Sequence, residues 1–375
     1  MNYQKIDEFV LQLVERSTPE RTAWNMEKIR EGKPASWNYI DGCMLTALME
    51  MERITGDERY SRFVRECVDH FVGEDGSIRT FKPEAHNLDD INEGRVLFAL
   101  YERTGEEKYR KAADFLRARL EEQPRTAEGN FWHKAIYPNQ VWLDGIYMAQ
   151  PFYALYEKHF GSGTYSDTVT QIKNVRARMF SQEKGLYFHG YDASKAAFWA
   201  DPETGCSRNF WLRSLGWFAV ALADLLEILP DGGDGLRDIF AELMASVDRY
   251  ADGETGLYWQ VPDQGGREGN YLETSGSAMM AYAMLKGARL GVLDETYAAK
   301  GRKTFDGIMD KYLTFTESGL DLGGICLVAG LGPGNNRRRD GSYEYYISEP
   351  VVENDAKGVA PFVLAYTEVK RVLGS

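Results

Sequence analysis

The sequence predicts an all-α fold, an (α/α)6 barrel of six inner and six outer helices, and three observations carry that expectation. Helical segments that open on glycine and continue with Ala, Leu and aromatics recur six times; amphipathic segments alternate with them; and long connections lead into most of the glycine-led ones. The glycine-led segments start at Gly42, Gly94, Gly145, Gly216, Gly276 and Gly358. The one after Gly216, GWFAVALADLLEIL, is apolar nearly all round, as a helix walled in by other helices must be. These are the inner helices.

The outer helices follow a different pattern. From Glu107 to Leu120, residues Tyr109, Ala112, Leu116 and Leu120 form one apolar stripe among charged residues. Similar segments lie near Tyr3 to Glu15, Glu58 to Phe71, Tyr165 to Met179, Gly235 to Tyr250 and Asp294 to Tyr312. An open solenoid of helix pairs is the structural alternative, but the irregular spacing argues against stacked uniform repeats. A single domain over residues 1–375 is expected.

The connections Gly73 to Gly94, Glu121 to Gly145, Met179 to Gly216, Ala251 to Gly276 and Leu313 to Gly358 exceed ordinary helix links, and loops of that length are usually functional. All five precede an inner helix, so parallel inner helices would gather them at one barrel mouth, where the active site is expected. Three contain Gly followed by aromatics, GNFWHK, GLYFHGYD and GLYWQVPD, read as short β-hairpins that plug or line the mouth. The fourth residue after each Gly is polar: His133, His189 and Gln260.

Composition bounds the function. With 375 residues, 43% hydrophobic and 13% aromatic, the chain can build a large core and still line a cleft, which excludes disorder. The net charge of −13 argues against a nucleic-acid partner, and Arg337-Arg338-Arg339 is short and followed by Asp340. Lys5, Asp7 and Glu8 stand where a signal peptide would be apolar, and the densest apolar run, Trp217 to Ala223, is far too short to cross a bilayer. Cys43, Cys67, Cys206 and Cys326 are scattered, without the spacing of a zinc site or disulfide framework, so a reducing cytoplasm is expected. The segment Gly323 to Asn336 lacks the GxGxxG spacing of a nucleotide-binding turn and is read as a mouth loop.

Carboxylates stand just ahead of inner helices: Asp41, the pair Asp89 and Asp90, and Asp144. An Asp there accepts hydrogen bonds from free backbone N–H groups, and Asp41 and Asp90 are read as such caps. Asp144 differs, because Trp132, Tyr137 and Trp142 supply rings that shield a site from water. Arg213 and Trp217, four residues apart, share a helix face and set a planar cation beside a ring able to stack on a sugar; a buried Arg paired with an Asp is the alternative. His133 and His189 read as neutral hydrogen-bonding groups rather than metal ligands.

The runs HKAIYPNQVWLDGIYMAQPF (His133 to Phe152), NLDDINEGR (Asn87 to Arg95), FWLRSLGW (Phe210 to Trp217), LETSGSAM (Leu272 to Met279) and SEPVVENDAKGVAPF (Ser348 to Phe362) resemble, in order, the unsaturated rhamnogalacturonyl hydrolases of glycoside hydrolase family 105. The resemblance implies an (α/α)6 barrel acting on oligosaccharides left by pectin lyases, whose non-reducing end is a uronate with a C4=C5 double bond, and it implies no metal or organic cofactor. It makes Asp144 the general acid/base and Asp89 the second site carboxylate. His189, Arg213 and Trp217 then line the sugar subsite, with Tyr39, Trp142 and His133 near it. Selection of the leaving sugar is expected around Phe198 to Cys206 and Asn335 to Tyr346. Two rivals remain: another (α/α)6 enzyme, either a two-carboxylate glycosidase or a sugar epimerase with paired His, and a non-catalytic helical scaffold.

Overall fold

A computed structural model of the protein describes residues 3–230, 233–317 and 319–373. The chain opens on α1 (Gln4–Glu15), passes a short α2 (Met26–Glu31) and enters α3 (Tyr39–Thr55). There follow α4 (Glu58–Phe71), α5 (Arg95–Thr104), α6 (Glu107–Glu121), α7 (Leu143–His159), α8 (Ser166–Met179), α9 (Leu212–Ile228), α10 (Leu236–Asp248), α11 (Thr274–Arg289) and α12 (Thr296–Tyr312). A short α13 (Tyr343–Ile347) precedes the last, α14 (Ala356–Leu373). All twelve expected helices are present. A 3-10 turn, Leu88–Gly94, continues directly into α5, so that inner element begins ahead of the expected Gly94.

The inner helices close a ring. α3 packs on the Leu88–Gly94 turn and α5, these on α7, then α7 on α9, α9 on α11, α11 on α14, and α14 back on α3. An open solenoid is thereby excluded, because its first and last repeats would not touch. Residues Leu212 to Leu226 of α9 are all buried, which matches a segment with no polar face.

The recurring glycines lie within the first turns of the inner helices and let the ring close tightly. A Cβ on Gly42 would stand 2.6 Å from Glu93 Cα, backbone against backbone with no flexible side chain to yield. Gly42→Ala is therefore expected to cost ~1–3 kcal/mol through overpacking, read as a lower Tm with the helical content retained.

The expected short hairpins are present in the mouth loops, with different extents of pairing. Gly185 sits in a hairpin between the first two strands of one loop, Phe180–Ser181 and Leu186–Tyr187, but Gly129 and Gly256 make tight turns closed by single bridges, Arg125 to Phe131 and Ala251 to Tyr258. Gln140–Trp142 pairs antiparallel with Gly190–Asp192, joining two different mouth loops with Trp142 opposite Gly190. The four cysteines are buried and unpaired. No helix among the described residues is long and apolar enough to cross a membrane.

At the other end of the barrel, charges tie three inner helices together. Asp224 accepts from Arg95 at 2.7 Å, Lys286 at 2.8 Å and the Tyr282 hydroxyl at 2.7 Å, and Lys286 also reaches Glu227 at 2.7 Å.

Candidate active site

One backbone device builds the mouth. The first N–H of each of four inner elements is held by a carbonyl from the next mouth loop: Leu88 by His133, Leu143 by His189, Leu212 by Gln260 and Thr274 by Gly324, at 2.9–3.1 Å. These bonds satisfy donors that a helix start leaves free, and they bring His133, His189 and Gln260 to the axis. All three side chains are buried. The fourth position after each Gly thus faces inward as the sequence predicts.

Asp144 lies in the first turn of α7, whose preceding residue, Trp142, provides no side-chain cap. Its Oδ2 lies 3.2 Å from His189 Nε2, too poorly aligned for a hydrogen bond, and makes none among the described residues. His189 Nδ1 meets the Tyr346 hydroxyl at 2.7 Å. Burial holds that phenol well above its ordinary pKa, so it is a neutral donor. The tautomer in which Tyr346 donates to Nδ1 puts the ring proton on Nε2, facing Asp144.

Asp89, not Asp90, turns toward the other charged groups. Its Oδ2 accepts from Lys134 Nζ at 2.6 Å, and Oδ1 lies 3.7 Å from His133 Nε2. Burial would raise this carboxyl, but Lys134 and then His133 bring it below its usual range. Burial also pushes His133 down to about 4, so at neutral pH the ring is uncharged and the contact with Asp89 is not an ion pair. Asp90 is pushed up to about 7, first by burial and then by Asp89.

Neither Asp41 nor Asp90 is the expected cap, because asparagines stand one turn earlier in both places. Asn38 caps α3 and Asn87 caps the 3-10 turn. Asp41 instead accepts from Thr22, Trp24, Asn25 and Asn38 at 2.7–2.9 Å, fixing the segment before α3.

Aromatic rings wall the pocket. Trp142 stacks on His133 (4.3 Å between centroids) and tilts against Tyr137 (4.6 Å), and its edge meets His189 at 5.5 Å. Trp199 and Leu331, from the two segments expected to select the leaving sugar or adjoining them, pack on Tyr137 and Trp142. A Cβ on Gly145 would stand 2.8 Å from His133 Nδ1, and the stacked ring has little room to retreat. Gly145→Ala is expected to lower kcat/KM by ~10–100-fold, since small misplacements near the chemistry cost that much. Steady-state kinetics beside a Tm measurement separates this from simple instability.

Arg213 is 1% exposed at the start of α9, its guanidinium 4.7 Å over the Trp211 ring. It donates to Ser275 Oγ and to the Cys326 carbonyl, and its Nε is unpartnered. No carboxylate of the described residues stands within ion-pair distance of it, which departs from the alternative of an Arg–Asp pair. Trp217 lies one turn deeper and stacks on Tyr147 at 4.6 Å, so it stands under Arg213 rather than beside Asp144. Tyr39 opens α3, and its hydroxyl is held neutral by burial, then by Glu27 and Asp89.

Five residues here were not singled out from sequence: Lys134, Trp211, Tyr346, Glu27 and Lys357. Lys357, 1% exposed, bridges Glu27 at 2.7 Å and Asp355 at 3.1 Å. The signal for Glu27 was local, because Asn25 and Gly32 bracket MEKIRE as start and stop of a short helix. Gly323 to Asn336 is a mouth loop, as expected: its Cys326 bonds Arg213 and Glu273, and its Leu331 covers Trp142. Among the described residues no three His, Cys, Asp or Glu side chains group to hold a metal ion.

Comparison with known proteins agrees with this architecture. A glycoside hydrolase of family 105 from C. acetobutylicum superposes with a TM-score of 0.90 at 38% identity, covering 98% of this chain and 100% of that one. A 24.9 kDa protein in the picA locus of Rhizobium radiobacter is 41% identical over 228 residues, 59% of this chain and 97% of that protein. An unsaturated 3S-rhamnoglycuronyl hydrolase of Formosa agariphila is 26% identical over 181 residues, 45% of this chain and less than half of its own length. The profile of Glycosyl Hydrolase Family 88 matches residues 13–373. The resemblance read from the sequence holds, the scaffold alternative falls, and the chain belongs to glycosyl hydrolase family 88.

Proposed function

We propose that the protein removes a 4,5-unsaturated uronic acid from the non-reducing end of rhamnogalacturonan-type oligosaccharides derived from pectin. One observation carries the reading: Asp89 is paired with Lys134 at 2.6 Å, whereas no lysine or arginine of the described residues pairs with Asp144, whose charged-group neighbour is His189 at 3.2 Å, which leaves Asp144 as the acid. A two-carboxylate glycosidase needs an acid on one side of the glycosidic oxygen and a nucleophile or base on the other. An enol ether needs one acid.

In this scheme Asp144 donates its proton to C4 of the double bond, and the resulting cation at C5 is stabilised by the ring oxygen. Water then adds at C5 and returns its proton to the Asp144 carboxylate. The hemiketal opens to a ketone, and the acyclic anomeric centre expels the neighbouring sugar. Asp89, kept ionised by Lys134, faces the developing positive charge. His189 orients Asp144. Arg213, a buried cation with an unpartnered Nε, suits the uronate carboxylate, and Tyr39, His133 and Trp142 frame the sugar, with Trp217 beneath Arg213. The reading includes a cytoplasmic location, supported by four scattered free thiols.

The test is to incubate the protein with lyase-generated unsaturated rhamnogalacturonan disaccharide and follow ultraviolet absorbance of the conjugated acid. Loss of absorbance with release of the leaving sugar is expected. Persistent absorbance with folded protein, or equal turnover of saturated disaccharides, would overturn the proposal.

A further inference from the structure

Two of the three arginines in Arg337-Arg338-Arg339 already have partners. Arg338 donates to Glu349 at 2.9 Å and to the Ser348 hydroxyl at 3.2 Å, and the Arg337 guanidinium lies 4.7 Å over the Phe198 ring. Arg339 is half-buried, and among the described residues no carboxylate lies within ion-pair distance of it.

Its position is set by the loop it closes. The Arg339 carbonyl accepts from Gly332 N at 2.7 Å, and its Nη1 lies 3.2 Å from where a Cβ on Gly330 would stand. That same point is 3.4 Å from Trp142 Cζ3, so the guanidinium and the outer edge of Trp142 flank one glycine. Gly330 is itself pinned, since its N–H donates to the Tyr345 hydroxyl at 3.0 Å. The same Trp142 ring stands 5.5 Å from that of His189, which adjoins Asp144. Arg213 and Arg339 therefore stand at different depths, Arg213 almost wholly buried at a helix start and Arg339 half-exposed at the rim.

A hydrolase that attacks a terminal sugar takes that sugar in first, so the rest of the substrate trails past the rim. We infer that Arg339 binds an anionic group, a carboxylate or a sulfate, on the part of the substrate beyond the scissile bond. This rests on the proposed function. A guanidinium with no carboxylate of the described residues within ion-pair distance, in a chain of net charge −13, offers a planar fork that matches either group and is wasted on a neutral sugar.

Three unsaturated substrates test it: one whose leaving part is neutral, one carrying a uronate there and one carrying a sulfate. Arg339→Ala is expected to lower kcat/KM for an acidic substrate, relative to the neutral one, by about tenfold, the order of one charge-assisted hydrogen bond, with the change in KM rather than kcat. Arg339→Lys should restore part of the preference. The substrate whose ratio moves identifies carboxylate or sulfate as the group bound. A control, Lys173→Ala, removes a positive charge on the outer helix α8 and should move neither ratio. If the unmodified protein turns over the substrates but Arg339→Ala changes both ratios less than ~3-fold, well under one such bond, this inference is overturned alone. If the unmodified protein turns over none of them, the proposed function falls with it.

Discussion

Asp144→Asn is expected to lower kcat by at least ~10²–10⁴-fold, the share that general acid/base catalysis alone supplies, and by more if the carboxylate also positions water. The amide has the same shape but no proton to give to C4, and it cannot take one from the incoming water. Stability should barely change, because Asp144 Oδ2 makes no hydrogen bond among the described residues and the preceding N–H, that of Leu143, is already held by the His189 carbonyl. The pairing of lost turnover with an unchanged Tm is the diagnostic result. A variant working at full speed would remove Asp144 from the chemistry and leave Asp89 as the acid to be tested.

The largest effect on stability is expected from Asp224→Ala, at the opposite end of the barrel. This carboxylate neutralises Arg95 and Lys286, whose side chains are 8% and 5% exposed. Removing Asp224 leaves the buried Arg95 uncompensated and Lys286 with Glu227 alone, and breaking a buried charge pair in this way costs about 3–5 kcal/mol. A markedly lower Tm is the expected reading. Asp224 lies about 16 Å along α9 from Arg213, at 1.5 Å of rise per residue, so kcat of the folded fraction should be unaffected.

The pH dependence gives a second check. Burial acts to raise the Asp224 carboxyl, but Lys286 and Arg95 outweigh it and hold it down at about 2. Its folded value is therefore below its unfolded one. The stability it contributes is present above the usual carboxylate range and is lost as pH falls toward about 2. The gap in stability between the unmodified protein and Asp224→Ala should narrow over that window.

Much of the fold is legible because it is written locally. The stripe of Tyr109, Ala112, Leu116 and Leu120 needs one face buried, and the unbroken apolar run after Gly216 needs every face buried, whatever their neighbours are. The inner glycines were legible as markers, but their purpose was not, since Gly42 meets Glu93 of the neighbouring inner element. At Gly129 and Gly256 the hairpins reduce to single antiparallel bridges, because an aromatic run after Gly specifies a turn but not how far its arms pair. The strand that Gln140–Trp142 does pair with comes from the next mouth loop.

The same division runs through the site. Asp144, His189 and Arg213 could be named from their places at helix starts or at a repeated loop register. Lys134, beside His133 in the sequence, carried no sign that it would bind Asp89, and Tyr346 none that it would meet His189. Glu27 and Lys357, near opposite ends of the chain, meet at 2.7 Å.

The order of residues thus sufficed for the helices and their inner or outer rank, because periodicity acts over a few residues. Ring closure settled which carboxylate is paired with a lysine, which histidine stays uncharged and which arginines stand without a carboxylate within ion-pair distance. Those properties depend on charge separation and burial, and both are set where loops distant in the chain converge on one axis.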